Sequence, residues 1–165
     1  MTYRHRIAFM ASFNNPSLAE SEIRQAVRAR LLATAEPGAF VRDELSVASA
    51  RVDLARTGSR LEGFEIKSDF DTLDRLPRQV AAFSLLFDAM TLVVGDRHAN
   101  EAVVAVPRWW GVLLATTNGD GSVRLCTARV TSAAIPGLRT PDVPRTFRAD
   151  LRLRPDQGRD KAQTR

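Results

Sequence analysis

Residues 50–67 read ARVDLARTGSRLEGFEIK, two runs of alternating apolar and polar residues joined by Thr57-Gly58-Ser59-Arg60. Period-two alternation marks a strand, and a short connection rich in Gly and Ser marks the turn between antiparallel partners. The pattern predicts strands over residues 50–56 and 61–67, folded as a hairpin. Residues two apart on a strand share a face. Glu65 and Lys67 then point one way and Phe64 and Ile66 the other, giving one polar and one core face, while Asp53 leaves the apolar side formed by Val52 and Leu54. If the hairpin turns about Ser59, Asp53 lies opposite Glu65 and the three polar groups meet.

Two carboxylates directly opposite each other repel across a Cβ separation of about 4.5–5.5 Å. A divalent cation removes that cost, and carboxylate oxygens suit magnesium, or manganese, rather than zinc. Lys67 beside Asp53 and Glu65 would orient a water or offset charge on a phosphate oxygen, which points to metal-assisted phosphodiester hydrolysis. The same spacing also describes a solvated surface hairpin with a cross-strand ion pair, and Asp-x11-Glu-x-Lys alone does not separate the two.

Outward from the hairpin, residues 17–32 place Leu18, Ile23, Val27, Leu31 and Leu32 at near-helical spacing, with Glu20 and Glu22 early and Arg28 and Arg30 late, as a helix dipole prefers. Glu36-Pro37-Gly38 stops that helix, and residues 39–47 alternate as a strand. Beyond the hairpin, Asp71 is expected to cap a second helix with the stripe Leu73, Leu76, Val80, Phe83 and Phe87. Pro77 would either kink that helix or start it afresh. Residues 89–94 form a short apolar run suited to a buried strand, and residues 110–116 and 122–130 flank the turn Asn118-Gly119-Asp120-Gly121. The order αβββαβ plus a C-terminal β-hairpin predicts an α/β (α+β) fold, a mixed central sheet flanked by helices.

At 165 residues the chain suits one domain, and 44% hydrophobic with 26% charged residues excludes wholesale disorder and collagen-like or disulfide-scaffold classes. Cys126 is alone and cannot pair within the chain, which predicts a reducing, cytoplasmic setting. No apolar stretch approaches the ~18 residues of a membrane span, and the apolar run at residues 7–13 lacks a small-residue cleavage site. Of the net charge of +5, residues 138–165 carry most, with eight basic and four acidic side chains. A single domain over residues 1–135 and a basic, poorly ordered tail over residues 136–165 are expected, the tail being either a solvated end or a weak grip on a polyanion.

A wider set of residues carries a resemblance. It comprises Asp43-Glu44-Leu45, Arg51-Val52-Asp53, residues 63–69 (GFEIKSD), Asp71-Thr72-Leu73, Arg75-Leu76, Gln79, Phe87-Asp88, Val93-Val94-Gly95, His98 and residues 106–111 (VPRWWG). Over about residues 20–116 the chain resembles the PD-(D/E)xK nuclease superfamily, and more closely a bacterial and phage-associated family of small proteins within it. The resemblance implies a restriction-endonuclease-like core in which Asp53 and Glu65 hold the metal and Lys67 serves catalysis. It implies a further acid from Glu22 or Glu44. Gln79 is similar to the glutamine of the Gln-x-x-x-Tyr motif of RecB-like nucleases, with Phe83 in place of the tyrosine.

The implied activity is a Mg2+-dependent phosphodiesterase, endo- or exonuclease, acting on nucleic acid and on DNA before RNA, with a homodimer as one assembly that related enzymes adopt. The alternative is a non-catalytic nucleic-acid-binding or accessory protein of a phage or defence system that retains the fold. Around this set, His98 reads as a phosphate contact or as a helix cap or surface residue. Trp109 and Trp110 read as base-stacking platforms, with at least one in the core, and Arg75 and Arg78 as phosphate contacts or solvated helix charges.

Overall fold

A computed structural model describes residues 16–47 and 50–132. The expected tail at residues 136–165 and the apolar run at residues 7–13 lie outside the described residues. Helix α1 (Glu20–Ala33) precedes strands β1 (Phe40–Val47), β2 (Ala50–Thr57) and β3 (Leu61–Lys67). Helix α2 (Leu76–Leu86), strand β4 (Ala89–Val94), a 3-10 turn at Asp96–His98, helix α3 (Ala99–Ala105) and strands β5 (Gly111–Thr117) and β6 (Val123–Arg129) follow.

The six strands form one sheet in the order β1-β2-β3-β4-β5-β6. β3, β4 and β5 run parallel, and the remaining neighbours are antiparallel. Parallel neighbours need crossovers, which α2 and α3 supply, whereas β2–β3 and β5–β6 close by short turns. At the β5–β6 turn, Gly121 takes φ 83° and its N–H donates to the carbonyl of Asn118 at 3.0 Å. The expected mixed sheet flanked by helices is therefore present.

Each face of the sheet is roofed. On one side Ile23, Val27 and Leu31 of α1 pack on Leu54, Phe64, Ile66, Val93 and Leu113. On the other, Leu76, Phe83 and Leu86 of α2 and Ala102 of α3 pack with Val52, Leu92, Val94, Trp110 and Leu114. All six residues of β4 are buried, as a central parallel strand covered on both faces requires. Trp110 is fully buried and meets the half-buried Trp109 edge to face. Leu32, read as part of the apolar stripe of α1, is instead 54% exposed.

Three sequence expectations are resolved. Of the two outcomes expected at Pro77, helix α2 takes the fresh start, beginning at Leu76 with Pro77 in its first turn, where a missing N–H costs nothing. Asp71 is not its cap; its carboxylate instead accepts from the backbone N–H and hydroxyl of Ser68, at 2.8 and 2.6 Å, within the β3–α2 loop. His98 holds the N-cap position of α3, as one reading expected, though without a side-chain cap bond, and it is not a surface residue: its ring is buried and Nε2 lies 3.0 Å from the carbonyl oxygen of Asp71.

Simple alternation also fails in β1 and β2. Val41 packs on the α1 side but Leu45 and Val47 on the other. Between them Glu44 takes φ 53°, a left-handed conformation uncommon for a residue with a side chain. On β2, Val52 and Leu54 likewise belong to opposite faces, so the change of side falls at Asp53. The backbone partners of β1 and β2 pass from Asp43↔Leu54 to Leu45↔Val52 and skip Glu44 and Asp53.

Phe83, fully buried and edge to face with Phe87, anchors α2 to the sheet. Phe83→Ala should lower the unfolding free energy by about 3–5 kcal/mol in urea denaturation. Leu85→Ala, one helix position outside the core and 38% exposed, should cost far less.

Candidate functional site

Between β2 and β3 the backbone pairs run from Thr57↔Leu61 to Leu54↔Phe64 and then stop. This is the expected register, but pairing ends one step before Asp53 and Glu65. Beyond that point a cleft of about 630 Å³ opens, lined by Asp53, Glu65, Lys67 and Gln79 together with Glu20, Asp71, Arg51, Arg75 and Arg78. The sheet supplies the first three from adjacent strand ends, α2 supplies Gln79 and α1 supplies Glu20.

Asp53 bridges the opening. Its Oδ2 accepts from the backbone N–H of Ile66 at 2.7 Å, and its Oδ1 accepts from Arg24 Nη2 at 3.2 Å. Arg24 also donates to the Asp53 carbonyl at 2.9 Å and, through Nε, to Glu20 Oε1 at 2.6 Å. Across the notch, Lys67 Nζ and Gln79 Nε2 both donate to Glu65 Oε1, at 2.7 and 2.5 Å. Glu65 Oε2 and Gln79 Oε1 are buried with no hydrogen-bond partner among the described residues.

The polar groups do not occupy a solvent-facing side of the sheet, as alternation suggested. Glu65 is 1% exposed and Lys67 6%, because α2 covers that end of the sheet. Burial pushes the Glu65 carboxyl up to about 7; the negative charge of Asp53 adds to the rise, while Lys67 and the Gln79 amide oppose it. Burial raises Asp53 as well, against the Ile66 N–H and the positive charges of Arg24 and Lys67. Two acids in one poorly hydrated notch resist carrying two charges at once.

The loop after Lys67 is fastened from beneath. Asp69 accepts from the N–H groups of Leu18 at 2.8 Å and Arg97 at 2.9 Å. A Cβ on Gly95 would collide with the Asp69 carboxylate, so a glycine is needed where the end of β4 passes this loop. The GFEIKSD segment thus carries one acid and one lysine of the cleft, Glu65 and Lys67, and the anchor Asp69 that holds its rim.

Of the sequence-derived site residues, Asp53, Glu65, Lys67 and Gln79 come together. Glu22 and Glu44 do not line the cleft. Glu22 turns back to its own helix start, its Oε2 accepting from the Ala19 N–H at 2.7 Å. Glu44 is 52% exposed and lies 3.4 Å from Arg51. The acid that α1 brings to the cleft is Glu20, tied to Arg24. Its spacing of four from Arg24 was the signal in the sequence, a helical ion pair on the face turned to Asp53. Among the described residues no three His, Cys, Asp or Glu side chains form a metal-holding set.

Fold and cleft define a mixed α+β protein with a buried cluster of two acids, a lysine and an amide where its sheet parts. The chain belongs to the family described as Bacteriophage P4 protein cII, which it matches over residues 14–134, and it is in that sense phage-related. It is similar to Protein cII of Enterobacteria phage P4, 39% identical over 88 residues that make up 52% of this chain and 33% of that protein. The matched segment thus spans about a third of the relative's length. No solved structure matches the chain.

The raised carboxyl makes stability depend on pH. The folded-state pKa of Glu65 lies above its ordinary 4.5, so the folded chain holds this proton more tightly than the unfolded one. Its contribution is fully present below the ordinary value and is lost as pH rises through about 7. Comparing urea unfolding of the wild type and Glu65→Gln across that interval, the balance should move toward the variant as pH rises. A difference that stays constant with pH would contradict the assignment.

Proposed function

We propose that the cleft hydrolyses phosphodiester bonds in nucleic acid, DNA before RNA, as a PD-(D/E)xK-type enzyme on a restriction-endonuclease-like core. The observation that carries this reading is Glu65 Oε2, a buried carboxylate oxygen without a partner on a residue that lines the same cleft as Asp53 and Lys67. An orphaned buried acceptor costs about 1–3 kcal/mol, more when charged, and is accounted for if a ligand completes it. Two carboxylates fit a hard divalent cation that draws its other oxygens from water and substrate. Magnesium or manganese held by Asp53 and Glu65 would offset the charge of the phosphate in the transition state.

The chain's own groups then have distinct tasks. Gln79 and Lys67 both hold Glu65 Oε1, so the carboxylate cannot turn and Oε2 stays free. An ammonium carries three donors, and Lys67 spends one on Glu65, leaving two for the attacking water and a non-bridging phosphate oxygen. Hydrolysis forms one bond from the water oxygen to phosphorus and breaks the bond from phosphorus to a sugar oxygen, which takes up a proton. Asp53 fixes the strand end carrying Glu65 through the Ile66 N–H.

One observation favours a second reading, a nucleic-acid-binding protein without catalysis. Both oxygens of Asp53 are already engaged, by Arg24 and by Ile66.

The test is cleavage of linear, nicked and single-stranded DNA by the purified chain with magnesium or manganese. Wild type should cleave, and Lys67→Met and Asp53→Asn, which keep side-chain volume, should lose about 100-fold or more while near-UV circular dichroism stays native. Binding without cleavage would transfer the case to the second reading.

A further inference from the structure

Helix α2 begins with the wrong charges. Its cap position is Arg75 and its third residue Arg78, and its first turn contains no acid. A helix N-terminus bears partial positive charge, so cations there are disfavoured. Both side chains are exposed and both line the cleft, yet among the described residues neither guanidinium has a hydrogen-bond or ion-pair partner. The other cations of the cleft wall are engaged, Lys67 with Glu65 and Arg51 with Glu44. The acids are engaged as well: Glu20 and Asp53 by Arg24, and Asp71 by Ser68.

Two free guanidiniums at the positive end of a helix form an anion site, and the buried, unpartnered Glu65 Oε2 in the same cleft points independently to a ligand. We infer that Arg75 and Arg78 grip a backbone phosphate of the nucleic acid adjoining the one presented to Glu65 and Lys67. The inference rests on the reading of the cleft as a nucleic-acid site and names the residues that seat the strand there. The grip is electrostatic and indifferent to base sequence. It acts before any metal is bound, because its charges belong to the chain. Arginine suits it better than lysine, since the planar fork can meet two phosphate oxygens at once.

The experiment is fluorescence anisotropy of a fluorescein-labelled DNA duplex with the full chain, in EDTA to stop turnover, over a range of salt. Wild type should bind with an affinity that falls steeply with salt. The double variant Arg75→Gln/Arg78→Gln should bind more weakly, its log K against log salt slope shallower by about 0.9, for the one phosphate that the pair neutralises. Its melting temperature should not fall, since removing cations from that helix end relieves repulsion; a merely structural pair would lower it. Arg75→Lys/Arg78→Lys should restore part of the slope. An unchanged slope, or no binding by wild type, overturns the inference. Cleavage with an unchanged slope would leave the proposed activity standing without this grip, and an arginine-dependent slope without cleavage would do the reverse.

Discussion

Where β2 and β3 part, the N–H of Ile66 still points toward β2 but no longer meets a strand carbonyl, and the carboxylate of Asp53 takes its place. The exchange of a backbone acceptor for a side-chain one lets the sheet open without leaving a buried donor unsatisfied. The other features of the cleft follow from that opening. Gln79 reaches Glu65 from above, Arg24 reaches Asp53 from α1, and the loop bearing Asp69 and Asp71 closes the rim.

The cluster is costly. A lysine and a glutamate under 10% exposed lose most of their hydration, and their mutual attraction seldom repays this in full. The rise of the Glu65 carboxyl toward neutrality is a direct expression of that cost. The surrounding scaffold offsets it with two apolar cores, one on each face of the sheet, whose largest members include Trp110, Phe83 and Phe87. Rigid supports of this kind are what an arrangement of strained polar groups needs in order to persist.

Much of this was legible in residues 50–67. Alternation and the turn give both strands and a register that the structure shares, because these are local properties of the chain. The meeting of Asp53, Glu65 and Lys67 follows from that register. What alternation could not show is the burial of the pair, which depends on α2 lying over the strand ends, nor the change of side at Glu44, where φ is positive, and at Asp53 opposite it. Glu20 and Arg24 were missed for a related reason: their spacing of four marks a helical pair, but the contact of Arg24 with Asp53, which brings that pair to the cleft, spans 29 residues and leaves no periodic trace. Glu22 was put forward, beside Glu44, by the resemblance; it lies on the same helix as Glu20, but a shift of two residues turns a side chain about 200° around the axis and away from the cleft.

The proposed cleavage requires Asp53 and Glu65 to act as two halves of one cation site rather than as a structural knot with Arg24. Manganese binding to the nucleic-acid-free chain, followed by electron paramagnetic resonance, tests this most directly. One bound ion per chain is predicted, lost in Glu65→Gln and in Asp53→Asn and retained in Glu22→Gln and Glu44→Gln. Absence of a bound ion, or binding that survives both substitutions in the cleft, would contradict it.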